Sequence, residues 1–186
     1  MLARGVTMVA VDPDQRPYPE IQPAPDGHAW FILHARPRAE KKIRDHYQRE
    51  GWTIFLPLRC KEHRYGGRVR VFWSPLFAGY VFGCFPEKHR YKLKQDHHVA
   101  NVLPVVDQAT LVDQLQQIRQ AVACGEMLEV MPGVKTGTRV RITAGPFKGV
   151  EGIVEKVEGK TRVIVGIEMI QQAVAIGVES RAVEMV

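Results

Sequence analysis

Long apolar runs are missing from this 186-residue sequence. The longest stretch free of charge and histidine is Val71 to Pro86, which Pro75, Gly79 and Gly83 interrupt, whereas a membrane-spanning helix needs roughly 20 mostly apolar residues. No transmembrane helix and no membrane partner are expected. The first residues hold Arg4 and only a short uncharged patch that ends at Val11, before Asp12. A secretory signal needs roughly 7–15 apolar residues there, so a cytoplasmic location is expected. Cysteine is scarce: Cys60, Cys84 and Cys124 are odd in number and far apart, which leaves neither a disulfide framework nor a C-x-x-C metal or redox pair. Catalytic signatures are also lacking. No G-x-S-x-G, H-E-x-x-H, Walker or paired-carboxylate pattern stands in a suitable context, and no enzyme activity is expected. His89, His97 and His98 are bunched without a regular ligand set around them. Zinc sites usually organise four ligands, so neither a metal nor a cofactor is expected.

Positive charge is what the chain has in excess. It carries 26 Lys/Arg against 20 Asp/Glu, with a pI of about 9.4. Residues 1–27 are acidic on balance and hold Pro13, Pro17, Pro19, Pro23 and Pro25 with little periodic apolar content, the composition of a disordered leader. Residues 28–125 contain sixteen Lys/Arg and only eight Asp/Glu, whereas residues 137–186 contain seven and six. The basic character therefore belongs to one domain, with residues 126–136 as a linker.

That domain opens on the apolar run Trp30 to Leu33, of strand type, and continues into a helix marked by Ala39, Ile43 and Tyr47 at four-residue spacing. Pro37 suits the helix entry and Gly51 its left-handed exit. Trp52 to Leu58, Arg68 to Trp73 and Gly79 to Phe85 read as strands, with Tyr65-Gly66-Gly67 as a hairpin turn. Asn101 to Val106 reads as a further strand. Leu111, Leu115, Ile118 and Val122 stripe a second helix from Thr110 to Ala123, with Thr110 and Asp113 resembling a capping box and Gly125 as the stop. From Gly137 the pattern turns to short alternating strands at Arg139 to Thr143, Gly152 to Val157, Arg162 to Ile167 and Ala173 to Val178. The fold class expected is an α+β sandwich, a mainly antiparallel sheet with flanking helices, followed by a small all-β barrel.

Two sets of residues resemble a known family. Val140 to Val154, with Gly145, Gly149 and Gly152, resembles the KOW motif of an SH3-like barrel. Trp30-Phe31-Ile32-Leu33-His34-Ala35-Arg36-Pro37 and Pro75-Leu76-Phe77-Ala78-Gly79-Tyr80-Val81-Phe82, in that order before it, resemble the amino-terminal (NGN) domain of the NusG family. The resemblance implies a non-enzymatic transcription elongation factor that binds RNA polymerase through the NGN domain and recruits a partner through the KOW domain. Arg36 to Lys42 and Phe55 to Leu58 are more similar to the specialised antiterminator paralogues, of the RfaH and UpxY types.

The resemblance also implies site residues. His34, Phe77, Tyr80 and Phe82 would meet the polymerase clamp region, and His89 and Arg90 its gate loop, although His-Arg-Tyr-Lys replaces the family's His-Thr-Thr type of motif there. On the first helix, Lys42, His46 and Arg49 sit at i, i+4 and i+7 with Arg38 one turn earlier and Arg36 at the strand end. A solvated helix face gives the same pattern; in relatives this face, with His97, reaches the non-template DNA strand. In the KOW domain, Phe147 at an exposed tip and Met169 and Ile170 in a later turn would meet a ribosomal protein or Rho. Val163 to Val165 and Val174 to Val178 are rich in β-branched residues, which favours a stable barrel over a helical alternative. The competing reading is a ribosome-associated or RNA-binding KOW module, but such a barrel would carry the basic excess itself.

Overall fold

The computed structural model describes residues 17–66, 68–125, 128–133 and 137–186. Residues 1–16 of the expected leader, Gly67 of the Gly-Gly turn, and residues 126–127 and 134–136 of the expected linker lie outside the described residues.

The amino-terminal domain is built on a four-stranded antiparallel sheet with spatial order β2-β5-β1-β6. These strands are β1 (His28–Ala35), β2 (Thr53–Phe55), β5 (Tyr80–Pro86) and β6 (Val99–Pro104). Between β2 and β5 the chain forms a separate two-stranded ribbon, β3 (Leu58–Tyr65) and β4 (Arg68–Pro75). Strand alternation gives the sheet two apolar faces. Phe31, Leu33, Val81 and Phe85 lie on one, in a core shared with Ala39 at the cap of helix α1 (Glu40–Arg49), with Ile43 and Tyr47 within that helix, and with Leu93 of helix α2 (Arg90–Gln95). Trp30, Ile32, Phe82 and Cys84 lie on the other, with Leu111, Val112, Leu115, Ile118 and Ala121 of helix α3 (Gln108–Ala123). With both faces covered, β1 reads in sequence as an unbroken apolar run.

Local chemistry sets the boundaries. Gly51 (φ 82°) and Gly125 (φ 70°) take the left-handed conformation just beyond α1 and α3, as expected for helix stops. The cap of α3 differs from expectation. Asp107 is the cap, accepting from the Thr110 backbone N–H (2.9 Å) and hydroxyl (2.7 Å), and Asp113 pairs elsewhere. Gln108 then extends the sheet's hydrogen bonding: it accepts from Trp30 N–H (2.7 Å) and donates to Trp30 C=O (2.9 Å), one step beyond where β6 ends its pairing with β1.

Residues 17–27, expected to be disordered, form a strap instead. Trp30 Nε1, Gln116 Nε2 and Arg119 Nε donate to the carbonyls of Gln22, Ile21 and Pro19 at 2.8 Å each. Tyr18 sits edge-on to Phe55 at 5.4 Å, and its hydroxyl accepts from the Leu58 N–H. Ile21 is buried in the α3-side core. Long side chains from α3 and β1 thus fix a segment whose own composition carries no order signal.

The second domain is a six-stranded antiparallel sheet of order β12-β8-β9-β10-β11-β7. Its strands are β7 (Glu129–Pro132), β8 (Arg139–Ile142), β9 (Glu151–Val157), β10 (Lys160–Ile167), β11 (Gln172–Val178) and β12 (Val183–Met185). Val163, Val165, Ile167, Val174 and Ile176 are among its buried side chains, β-branched residues that fit strands. Strand β7 falls inside the expected linker, and it pairs through Pro132 with β11 rather than spacing the domains.

The KOW-like glycines serve two different needs. Gly145 (φ 83°) and Gly149 (φ 92°) hold left-handed turn positions. Gly152 does not; a Cβ there would overlap the Ile164 carbonyl oxygen and crowd the Val163 side chain, whereas a Cβ at Gly145 would meet open space. Gly152→Ala is therefore expected to destabilise the β domain by about 3 kcal/mol through overpacking, and Gly145→Ala by only about 1 kcal/mol through backbone strain. Urea unfolding of the two variants checks this; equal destabilisation would contradict it.

Candidate functional site

The end of the sheet where β1 turns into α1 presents an aromatic ledge. His34 and Tyr80 are paired in the β1–β5 ladder, and their rings stack at 5.3 Å with 22° between planes. Gly79 (φ 84°) turns the chain into β5, where a Cβ would come within 3.6 Å of the His34 ring. Its N–H donates to Glu40 Oε1 at 2.8 Å. Glu40 is buried, so the first turn of α1 locks the ledge in place. Sequence reasoning missed Glu40; the one signal was an acid in a helix's first turn.

Phe77 and Phe82, expected beside Tyr80 on a docking surface, have no exposed area. They meet edge-on at 6.4 Å. Alternation along β5 sends Phe82 the same way as Trp30 and Ile32, into the face covered by α3 and the strap. Of this group only His34 is exposed and Tyr80 half-buried.

A basic corner adjoins the ledge. Arg36, Arg38, Lys42, His46 and Arg49 are all exposed, around the start and outer face of α1. Arg36 N–H donates to the His98 carbonyl at 2.8 Å, which brings the exposed His97 to the same corner. Arg38 is not one turn earlier on the helix: it precedes α1 in the left-handed region, with φ 63°. His46 lies 3.3 Å from Glu50, and Arg49 Nε donates to the Asp45 carbonyl, so the helix end of the stripe is partly engaged within α1.

Asp96 organises this corner. It accepts from the Tyr47 hydroxyl (2.7 Å), from His98 N–H (2.8 Å) and from the His98 ring (3.2 Å). Burial opposes its ionisation, yet these hydrogen bonds and the His98 charge outweigh it and hold the carboxyl below its ordinary value of 3.8. Burial, and then the Asp96 contact, push Tyr47 well above the usual phenol range. Asp96, His97 and His98 are close enough to share a cation, but the carboxylate is already committed to three donors and a structural zinc site wants a fourth ligand.

His89 and Arg90 stand at the opposite end of the sheet. His28 pairs with Pro86 there, and six residue steps of β1, about 20 Å, separate it from the His34–Tyr80 pair. His89 stacks on Trp52 at 5.3 Å, and Lys92 caps the same ring at 5.8 Å while bonding to Glu50. Arg90 lines an open cleft of about 900 Å³ with Lys88, Tyr91, His28 and Gln108. The residues expected at the polymerase thus fall into two separate groups.

The expected partner residues of the β domain lie along α3. Gln114 accepts from Glu168 N–H (3.2 Å), Gln117 accepts from Glu151 N–H (2.8 Å), and Gln120 donates to the Lys148 carbonyl (2.9 Å). Asp113 pairs with Arg139 at 2.9 Å, and the Cys124 thiol donates to the Pro146 carbonyl. Glutamines at i, i+3 and i+6 mark one helix face, a spacing that could have revealed this contact. Phe147 is therefore not an exposed tip: it is 9% exposed and joins the apolar cluster that runs from the sheet through α3 into the β domain. Ile170 is buried in the same cluster, and Met169 is exposed.

An α+β domain with a mainly antiparallel sheet and flanking helices, followed by a β-rich KOW domain, is the architecture of a transcription elongation factor. The family model described as "Transcription termination factor nusG" matches residues 28–132, and the KOW motif model matches residues 136–165. The chain belongs to the NusG family. Among solved structures it is similar to a chain of the crystal structure of the MjSpt4:Spt5 complex in conformation B, with 17% identity over 84% of this chain and 96% of that one, and a TM-score of 0.27. A search of the curated proteins finds no match. No helix among the described residues is long and apolar enough to cross a membrane.

Two outcomes are expected. A carboxylate held below its ordinary pKa stabilises the fold above that ordinary value, and the contribution is lost as pH falls through the lowered one. Asp96→Asn should cost about 1 kcal/mol at pH 7 and flatten the loss of stability below about pH 4 that wild type shows, as read from chemical denaturation across pH. Asp113→Lys combined with Gln117→Ala removes one ion pair and one hydrogen bond, about 2 kcal/mol together. The docking equilibrium constant should fall roughly thirtyfold, and small-angle scattering should show a larger radius of gyration; an unchanged radius would contradict the contact.

Proposed function

We propose that the protein is a specialised elongation and antitermination factor of the RfaH/UpxY-like kind, which binds RNA polymerase through its amino-terminal domain. The single observation that carries this reading is the stacked His34–Tyr80 ledge beside a corner formed by Arg36, Arg38 and His97. Stacked aromatic groups at the centre of an interface are typical energetic anchors. Arginines and histidines next to them suit an extended single strand, by phosphate contact and base stacking.

In this reading the ledge, with Phe77 and Phe82 as its buried support, meets the polymerase clamp region. Arg36, Arg38, Lys42, His46, Arg49 and His97 line the non-template DNA strand, and His89 and Arg90 form a second polymerase contact. Binding across the clamp favours its closed state and suppresses pausing, a population shift that needs no chemistry. The β domain, with Phe147, Met169 and Ile170 on its α3 side, recruits a ribosomal protein or Rho after leaving α3. The location of charge supports this reading over an RNA-binding KOW module, because the basic excess lies in the amino-terminal domain.

The test is transcription on assembled elongation complexes with the cognate polymerase, comparing wild type with Tyr80→Ala. Faster elongation and read-through are expected, with at least a tenfold drop of apparent affinity in the variant, given about 2 kcal/mol for an aromatic anchor. No effect of wild type on any template would refute polymerase binding. An unimpaired Tyr80→Ala would refute the ledge.

A further inference from the structure

The β3–β4 ribbon is absorbed by none of these roles. It stands apart from the four-stranded sheet as its own two-stranded ladder. Basic residues outnumber acids along it: Arg59, Lys61, Arg64, Arg68 and Arg70 stand against Glu62 alone. The side chains of β4 are exposed from Arg68 to Phe72, and Phe72, Val69 and Val71 are among the most exposed large apolar residues described.

Alternation sorts these side chains by face. Arg68, Arg70, Phe72 and Ser74 share one side of β4, and Arg59, opposite Ser74 in the ladder, shares it with them. Val69, Val71 and Trp73 take the other side. Opposite Arg68, Arg70 and Phe72 in register stand Tyr65, His63 and Lys61, while the one acid, Glu62, stands opposite Val71. One face of the ribbon is thus a row of arginines interleaved with an aromatic residue, and no acid occupies its register positions. A ligand rich in acceptors and poor in donors complements such a face.

We infer that this ribbon binds double-stranded DNA, laying its arginine face in the major groove. Dimensions and charge both fit. A B-DNA major groove about 12 Å wide admits a two-stranded β-ribbon, and eight residues of strand span about 27 Å. The like charge of the ribbon opposes its pairing with a second copy of itself, which the exposed valines alone would invite. The inference does not rest on polymerase binding. The surface is distinct from the Arg36–His97 corner and takes a duplex rather than a single strand.

The test is fluorescence anisotropy of the full chain with a labelled DNA duplex of about 24 base pairs, roughly two helical turns, titrated at several salt concentrations without polymerase. Wild type should bind in the micromolar range at low salt, weakening steeply as salt rises. Arg68→Gln with Arg70→Gln should bind roughly tenfold more weakly and lower the slope of log K against log salt by about 2, close to one for each arginine that no longer neutralises a phosphate. Arg68→Lys with Arg70→Lys, which keeps the charge, should retain most of the affinity. Lys156→Gln with Lys160→Gln, exposed on the β9–β10 turn of the β domain, should leave duplex binding unchanged. The inference is overturned by no binding at about 50 mM salt, by unimpaired binding of the Gln double variant, or by equal or tighter binding of a single strand or an RNA duplex of the same length.

Discussion

Helix α3 is the wall on which both domains depend. A four-stranded sheet with two apolar faces is stable only if both are covered, and α1 with α2 cover one. On the other side, Leu111, Val112, Leu115, Ile118 and Ala121 close the sheet, leaving the glutamines of the same helix to bind elsewhere. Gln116 turns to the strap, whereas Gln114, Gln117 and Gln120 turn to the β domain. One helix thereby holds two neighbouring segments, with glutamines reaching to both, Arg119 adding a bond to the strap and Asp113 an ion pair to the β domain. Each of these hydrogen bonds ends on a main-chain atom, so the neighbours are held by their backbone path more than by their side chains.

The charge distribution follows a similar division of labour. Acids in the amino-terminal domain are mostly engaged locally: Glu40 holds Gly79, Asp96 holds Tyr47 and His98, Asp107 caps α3, and Glu50 meets Lys92 and His46. That leaves the positive field of the domain concentrated at two places, the corner of Arg36 and Arg38 by His97 and the ribbon of Arg68 and Arg70. In the β domain, by contrast, Arg141 and Arg139 converge on Glu151, first through the Arg141 hydrogen bond, and hold its carboxyl below the usual range.

Legibility in the sequence tracked the range of the interaction responsible. Helices α1 and α3 and strands β1 and β5 were plain from apolar spacing, and Gly51 and Gly125 from the need for a left-handed stop. Strand β3 was missed beyond Leu58 because Arg59 to Tyr65 carries no apolar period; its ladder with β4 defines it. Strand β7 was hidden by Pro132-Gly133, which reads as punctuation until β11 lies beside it. The family's KOW glycines were found, but the reason for Gly152 was not, since the atom it avoids belongs to the next strand. For the candidate site, His34, Tyr80, Arg36 and His97 did fall together. Phe77, Phe82, Phe147 and Ile170 did not stay exposed, because what buries them comes from distant segments: the strap and α3.

The strap also has a consequence in time. Its carbonyls at Pro19 and Ile21 wait for donors 100 and 95 residues further along the chain. At a synthesis rate of roughly 5–20 residues per second, that is about 5–20 s between emergence of the strap and emergence of its anchor. The cover of Phe55, Phe77 and Phe82 comes from the same α3 core. The strap therefore cannot be fully anchored until α3 has been made, which ties the closing of this sheet face to a late stretch of the chain.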